Sequence, residues 1–175
     1  MKPIITDYPD GSKTITYKND DGQRHNLNGP AHIGYFPDGK VEWEQYWVNG
    51  QWQNLNGPAR IQYYPNGKVE REQYMVNGKA HNLNGPAYIS YYPDGKVERE
   101  QYLVNGQWQN LNGPANIQYY PDGKVKCEEY WVNGNEVDDK KVIEELGINP
   151  DYKLWTDIEK DMFKLHMLAL KSNKD

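Results

Sequence analysis

The sequence has little of what a disulfide framework, a thick core or a catalytic centre is made from. It contains one cysteine, Cys127, so no disulfide can form within the chain. Hydrophobic residues make up 37% of the 175 residues and mean hydropathy is −1.04, which is too polar for a deep two-layer sandwich. No run is long and apolar enough to span a bilayer. The opening Met-Lys-Pro-Ile-Ile-Thr-Asp lacks the hydrophobic stretch of a signal peptide, so a soluble, cytoplasmic protein is expected. The formal net charge is −5 with no basic stripe, and a nucleic-acid partner is therefore not expected. No Cys/His set has zinc spacing, no serine sits in a nucleophile elbow, and no phosphate loop or dinucleotide fingerprint is present. The expectation is a protein without metal, cofactor or catalytic residues.

Aromatics are what the chain has in quantity, and they are of one kind. It carries 15 Tyr and 6 Trp against 2 Phe. Tyr and Trp combine an apolar body with a polar tip, which suits the half-buried faces of a thin sheet. They also recur. Asn-Leu-Asn-Gly-Pro-Ala begins at Asn26, Asn54, Asn82 and Asn110, each 28 residues after the last. Pro-Asp-Gly-Lys or Pro-Asn-Gly-Lys begins at Pro37, Pro65, Pro93 and Pro121, and Val-Asn-Gly at Val48, Val76, Val104 and Val132. Four full units follow: 26–53, 54–81, 82–109 and 110–137. Tyr8-Pro9-Asp10-Gly11 and Asp21-Gly22 continue the series backwards, so residues 1–25 read as a degenerate half-repeat, as expected of an array's end. A two-unit rhythm is superposed: Gln51-Trp52-Gln53 returns as Gln107-Trp108-Gln109, while Lys79-Ala80-His81 lies between.

Within the unit that starts at Asn54, residues 58–64 read as a strand opened by Pro58. Pro65-Asn66-Gly67 is then a bulged hairpin loop, residues 69–76 a second strand, and Asn77-Gly78 a tight turn matched to strand twist. The segment 79–83 reads equally as a short third strand or a loop. Ala59, Ile61 and Tyr63 share one face, but Val69 has the opposite parity from Tyr74 and Val76, so a bulge near Gln73 is expected. The predicted fold class is mainly β, an elongated single-sheet array of tandem antiparallel hairpins advancing roughly 10 Å per unit, with a C-terminal helical cap.

That cap occupies 138–175, where the period stops. Residues 138–147 read as a short helix started by aspartates and ended by Gly147. Thr156-Asp157-Ile158-Glu159 has capping-box spacing and opens a second helix to about Lys171. This helix shows two apolar stripes. Trp155, Ile158, Met162, Leu165 and Ala169 form the one expected to cover the last hairpin; Phe163, Met167 and Leu170 form a second, read as a site of self-association or partner docking, with packing by the first helix as the alternative.

The repeated Tyr-Tyr-Pro-Asp-Gly-Lys-Val-Glu and Tyr-x-Val-Asn-Gly, joined by Asn-Leu-Asn-Gly-Pro-Ala, resemble the variant MORN-type repeats of bacterial, phage and large-virus proteins, some of them antitoxin-like. The resemblance covers about residues 8–137. It implies consecutive antiparallel hairpins in an elongated sheet with a binding or scaffolding role. The period here is longer than an ordinary MORN unit, and Gln45, Gln73 and Gln101 stand where a strand glycine is expected.

Residues copied in every unit are best explained by folding; those that differ are where contacts with a partner can be acquired. Trp43, Trp47, Trp52, Arg60, Arg71, Tyr88, Arg99, Trp108 and Trp131 are the candidates, because aromatic and arginine surfaces dominate binding hot spots. The pairs Glu42/Glu44, Glu70/Glu72 and Glu98/Glu100 have acid–base chemistry in principle. Their tiling along the array instead favours a solvated ladder with Lys and Arg on neighbouring strands. His25 and His81, which alternate with Gln53 and Gln109, read as structural hydrogen-bonding positions, and His32, His166 and Cys127 as unspecialised. The function expected is a non-enzymatic protein-binding scaffold, in particular an inhibitor or antitoxin-like sequestering protein. The alternative is a carbohydrate or cell-wall binding module that uses the repeated tryptophans.

Overall fold

The computed structural model describes residues 2–54 and 56–172, and all side chains among them except those of 139 and 170–172. One antiparallel sheet of 11 strands runs the length of the array, each strand hydrogen-bonded to the next along the chain. Strands Ile4–Asp7 and Lys13–Thr16 form the first hairpin. Each full unit then adds a pair: His32–Tyr35 with Val41–Gln45, Arg60–Tyr63 with Val69–Gln73, Tyr88–Tyr91 with Val97–Gln101, and Asn116–Tyr119 with Val125–Val132. Asn135–Val137 is the eleventh strand.

Local chemistry sets each element. At the first turn the Gly67 N–H donates to Tyr64 O, and Gly67 sits at φ 81°, a region open to glycine but costly to other residues. The Asn66 side chain locks the loop by accepting from the Lys68 N–H at 2.9 Å. Register shifts between Gln62 and Tyr63, which pair with Arg71 and Val69, so Glu70 is the extra residue. The bulge therefore lies beside the turn rather than near Gln73. The reason is the turn itself, whose left-handed glycine brings the two strands back out of step.

At Tyr74 the chain leaves the sheet. Its N–H still donates to Ala87 O in the next unit, while its carbonyl accepts from the His81 N–H. Met75–Val76 then pairs with Lys79–Ala80 as a short arm, closed by Asn77 (φ 50°) and Gly78 (φ 74°). The segment left open by the sequence is thus a two-residue strand, Lys79–Ala80, followed by a loop. Trp47–Val48 with Gln51–Trp52, and Leu103–Val104 with Gln107–Trp108, are the same arm in their units. In the last unit the second strand runs straight on, from Val125 to Val132, and pairs with Asn135–Val137.

The array's own core is thin. Ala31, Ala59, Ala87 and Ala115 are fully buried where successive sheets of hydrogen bonds meet. Ala59 shows the pattern: its N–H donates to Gln73 O and its carbonyl accepts from the Tyr46 N–H. Above these alanines the arms stack into a spine of Met75, Ala80 and Leu103, flanked by Trp52, Tyr88 and Trp108. Arms are also tied unit to unit. The Gly78 N–H donates to Trp52 O and the Gly106 N–H to Ala80 O, and His25 and His81 accept through Nδ1 from the N–H of Asn49 and Asn105.

The C-terminal segment is built differently. Helix α1, Asp139–Leu146, starts at Asp138, whose carboxylate accepts from the Lys141 N–H, and stops at Gly147 in the left-handed conformation (φ 63°). Helix α2, Asp157–Ser172, has the expected capping box: the Thr156 N–H donates to Glu159, and the Glu159 N–H donates to Thr156 Oγ1. Both helices close over Tyr130, Val132, Val142, Ile148, Trp155, Phe163 and Met167, the largest apolar cluster among the described residues. Phe163 meets Tyr130 edge-on at 5.4 Å and Trp155 at 4.7 Å. This corrects the reading of the two stripes of α2. Phe163 and Met167 are 0% exposed and form the inner face, because Tyr130 and α1 reach that side of the helix; the side chain of Leu170 lies outside the described residues. The stripe expected to cover the hairpin faces outward instead, apart from Trp155.

Candidate binding face

Strand register divides the varying residues into two groups. On one face of the sheet Arg60 pairs across to Gln45 and Gln73, Gln62 to Trp43 and Arg71, Tyr88 to Gln73 and Gln101, and Ser90 to Arg71 and Arg99. Trp43, Arg60, Arg71, Tyr88 and Arg99 therefore lie on one surface, brought together by the period-two geometry of their strands. On the opposite face Ile61 pairs to Glu44 and Glu72, and Ile89 to Glu72 and Glu100.

The bulge splits each pair of glutamates between these faces. Glu70 accepts from Gln62 Nε2 at 3.0 Å on the first, and Glu98 from Ser90 Oγ at 3.1 Å. Glu44, Glu72 and Glu100 accept from the hydroxyls of Tyr63, Tyr91 and Tyr119 on the second, at 2.8–2.9 Å. Two carboxylates on opposite sides of a sheet cannot share a substrate. The expected ladder with Lys and Arg of neighbouring strands is corrected as well: among the described residues the partners are Tyr, Gln and Ser, and the array's ion pairs lie inside turns, as Lys40–Asp38 does. Burial first, and the glutamate hydrogen bond second, hold the Tyr63, Tyr91 and Tyr119 hydroxyls above the usual phenol range.

The first face changes character along the array. At its N-terminal end Trp43 lies over Gly34, where a Cβ would sit 2.3 Å from the indole, and its ring packs on His32 at 4.6 Å. Burial, then the nearby Arg24 charge, push the His32 imidazole down from its ordinary value. In the middle the surface opens into a trough of about 570 Å3 that includes Arg71, Tyr88, Tyr92, Glu98, Arg99 and Lys126. Three cations against one carboxylate make this a positive strip on a chain of net charge −5. Arg99 is aimed by a buried relay. Its Nε donates to Asn116 Oδ1 at 2.7 Å, and Asn116, fully buried, donates to Glu129 at 2.8 Å. Arg71 is exposed and has no ion pair among the described residues.

The remaining candidates lie elsewhere. Trp47, Trp52, Trp108 and Trp131 belong to the arm spine. Trp47 and Trp52 are stacked at 5.8 Å, Trp108 and Trp131 meet at 5.9 Å, and Trp52 Nε1 donates to Ala59 O at 3.1 Å. Tyr88 bridges both groups: it packs against the spine, and its hydroxyl meets Met75 Sδ at 3.9 Å. Tyr92 and Lys126 line the trough but were not singled out by sequence. Their neighbourhood depends on the turn returning Tyr92 toward the sheet, where its hydroxyl donates to Tyr119 O at 2.7 Å. Among the described residues no group of three or more His, Cys, Asp and Glu could hold a metal ion, and no helix is long and apolar enough to cross a membrane.

No curated protein matches the chain. A family model for the MORN repeat variant matches residues 59–77, 87–105 and 116–133. Each match spans a first strand, its Pro-Asx-Gly-Lys turn and a second strand, and ends at the asparagine of the tight turn; the first two include the first half of an arm, and in the last the second strand runs straight on. Three of the hairpin units of this chain, between residues 59 and 133, are thus MORN repeat variants.

Proposed function

We propose that the chain is a non-enzymatic scaffold that binds a protein through the trough on the first face of the sheet, and that it acts as an inhibitor or antitoxin-like sequestering protein. MORN repeats generally serve as binding repeats, which supports the class. The observation that carries the site is the convergence of Arg71, Arg99 and Lys126 with Tyr88 and Tyr92 in one open trough. Arg99, held by a buried relay, and Arg71 beside it are flanked by tyrosines as the anchors of protein interfaces are, and their charge favours an acidic segment of the partner. A rigid sheet presents them with little ordering cost on binding.

The test is affinity capture from the native host with wild type, the double variant Arg71→Ala/Arg99→Ala, and Lys140→Ala as an exposed control on the cap. A partner retained by wild type and Lys140→Ala, lost from the double variant and then rebuilt from purified components supports the proposal. The same captured proteins on all three would sink it. The carbohydrate reading draws less support from Trp47, Trp52, Trp108 and Trp131, whose rings pack in pairs within the spine.

A further inference from the structure

The cap meets the second face of the last unit at three seats. Tyr152 lies over Gly113, where a Cβ would sit 3.2 Å from its ring. The next residue, Lys153, holds its ammonium 5.0 Å from the ring centre of Tyr119, whose hydroxyl donates to Glu100 at 2.8 Å. Leu111, in the loop before Gly113, packs against the cap's apolar cluster. The contact is therefore an aromatic ring on a glycine, a cation over a tyrosine bound to a carboxylate, and an apolar cover on a leucine.

The same three seats recur 28 residues earlier and are open. Leu83 is 74% exposed. A Cβ on Gly85 would meet only the Asn82 side chain of its own loop, at 3.6 Å, and Gly85 is not in the left-handed region, so neither packing nor backbone demands a glycine there. Tyr91 donates to Glu72 at 2.9 Å, and among the described residues no cation lies over its ring and none pairs with Glu72. In the first unit the corresponding ring, Tyr35, already carries Lys13 at 4.8 Å. The open seats also adjoin the covered ones. A cleft of about 400 Å3 has Leu83, Gly85 and Tyr102 on its array side and Tyr152 and Lys164 on its cap side. Tyr102 is half-buried there, whereas its counterpart Tyr130, under the cap, is 1% exposed.

We propose that the second face of the third unit binds a partner protein through a segment in which an aromatic residue is followed by lysine, docked as Tyr152-Lys153 is docked one unit further on. The aromatic ring rests on Gly85 beside Tyr152, the lysine lies over Tyr91 and is drawn by Glu72, and an apolar neighbour covers Leu83. Lys164 lines the cleft but Tyr91 does not, so the partner's lysine has its own seat. One unit is two strands, about 10 Å, so these seats and those of the cap can be filled side by side. The surface lies on the opposite side of the sheet from the trough, and the inference does not depend on what that trough binds.

The cap segment itself supplies the probe. A synthetic peptide with the sequence of residues 148–156 is titrated into the isotope-labelled full chain and followed by amide shifts. Saturable shifts at Leu83, Gly85 and Tyr91, with a Kd in the range of about 0.1–1 mM, are expected. Glu72→Gln keeps an acceptor for the Tyr91 hydroxyl but removes the charge, and should weaken binding at least fivefold. Glu98→Gln makes the same charge change on the first face and should leave it unaltered. Gly85→Leu fills the aromatic seat and should abolish the shifts. Circular dichroism and melting temperature check each variant, and a peptide carrying Lys153→Ala tests the lysine without altering the protein; it should bind at least fivefold more weakly. Shifts confined to the trough, equal effects of Glu72→Gln and Glu98→Gln, or a Lys153→Ala peptide that binds as well as its parent would each overturn the proposal. So would shifts at Leu83 and Gly85 that grow with protein concentration alone, which would make a second copy the occupant.

Discussion

The array and the cap reach stability by opposite routes. The array repeats a polar unit whose core is an alanine, two arm residues and a net of side-chain hydrogen bonds, with every unit leaning on its neighbours. The cap has no period and is held instead by a packed aromatic centre in Phe163, Trp155 and Tyr130. The difference is visible at equivalent positions. Ile117 and Tyr130, under the cap, are 2% and 1% exposed, while their counterparts Ile89 and Tyr102 are only half-buried. A sheet one layer thick stabilises itself by tiling small contributions. An aperiodic end must supply a true core, because it has no next unit to lean on.

The sharpest way to break this comparison is to empty the cap. Phe163→Ala removes a fully buried ring between Tyr130 and Trp155, and such truncations cost about 3–5 kcal/mol. Helical circular dichroism should be lost at lower denaturant than strand signal, giving two transitions where wild type shows less separation. Simultaneous loss of both signals would mean that cap and array unfold as one unit.

The complementary cut is in the array. Ala59→Leu forces a larger side chain between second strands at a site with no exposed surface. Overpacking of this kind costs about 1–3 kcal/mol. The loss should appear in the strand transition while the helical transition of the cap holds its midpoint. An equal shift of both would show that the alanine row carries strain into the cap.

Those contrasts explain which parts of the molecule were legible in the sequence. The period, the left-handed glycines, the Asn-Gly turns and the capping box at Thr156 are local signals, and each element sits where its signal placed it. The position of the bulge was not legible. Parity requires that a face switch occur between Val69 and Val76, but any residue there satisfies parity, and only the turn decides for Glu70. The two stripes of α2 are near-equivalent as text; the choice was made by Tyr130 and Val142, which are distant in sequence. The variation of the tryptophans has a structural reason that the sequence does not display, because a position can vary within a spine when its neighbour varies with it. Large Trp52 is followed by Arg60, and small Ala80 by Tyr88, which fills the space. The two-unit rhythm was the signal of that compensation.

The smallest effect expected tests the hydrogen-bond net itself. The Tyr91 hydroxyl donates to Glu72 at 2.9 Å, and burial with that bond raises its pKa, as burial lifts Tyr102 to about 12. The folded chain therefore keeps protons that the unfolded chain gives up near the ordinary phenol value of about 10. Stability from these groups is complete below that pH and is lost as pH rises through the folded values. Tyr91→Phe deletes one such group. At pH 8 it should cost about 1 kcal/mol, the worth of one partly exposed hydrogen bond. Above pH 10 the variant has one tyrosine fewer to deprotonate, so its urea midpoint should fall less steeply than that of wild type and the two curves should converge. Midpoints that stay parallel from pH 8 to pH 11 would show that the tyrosine–glutamate bonds are decoration on the sheet, and that backbone ladders and buried alanines alone hold the array.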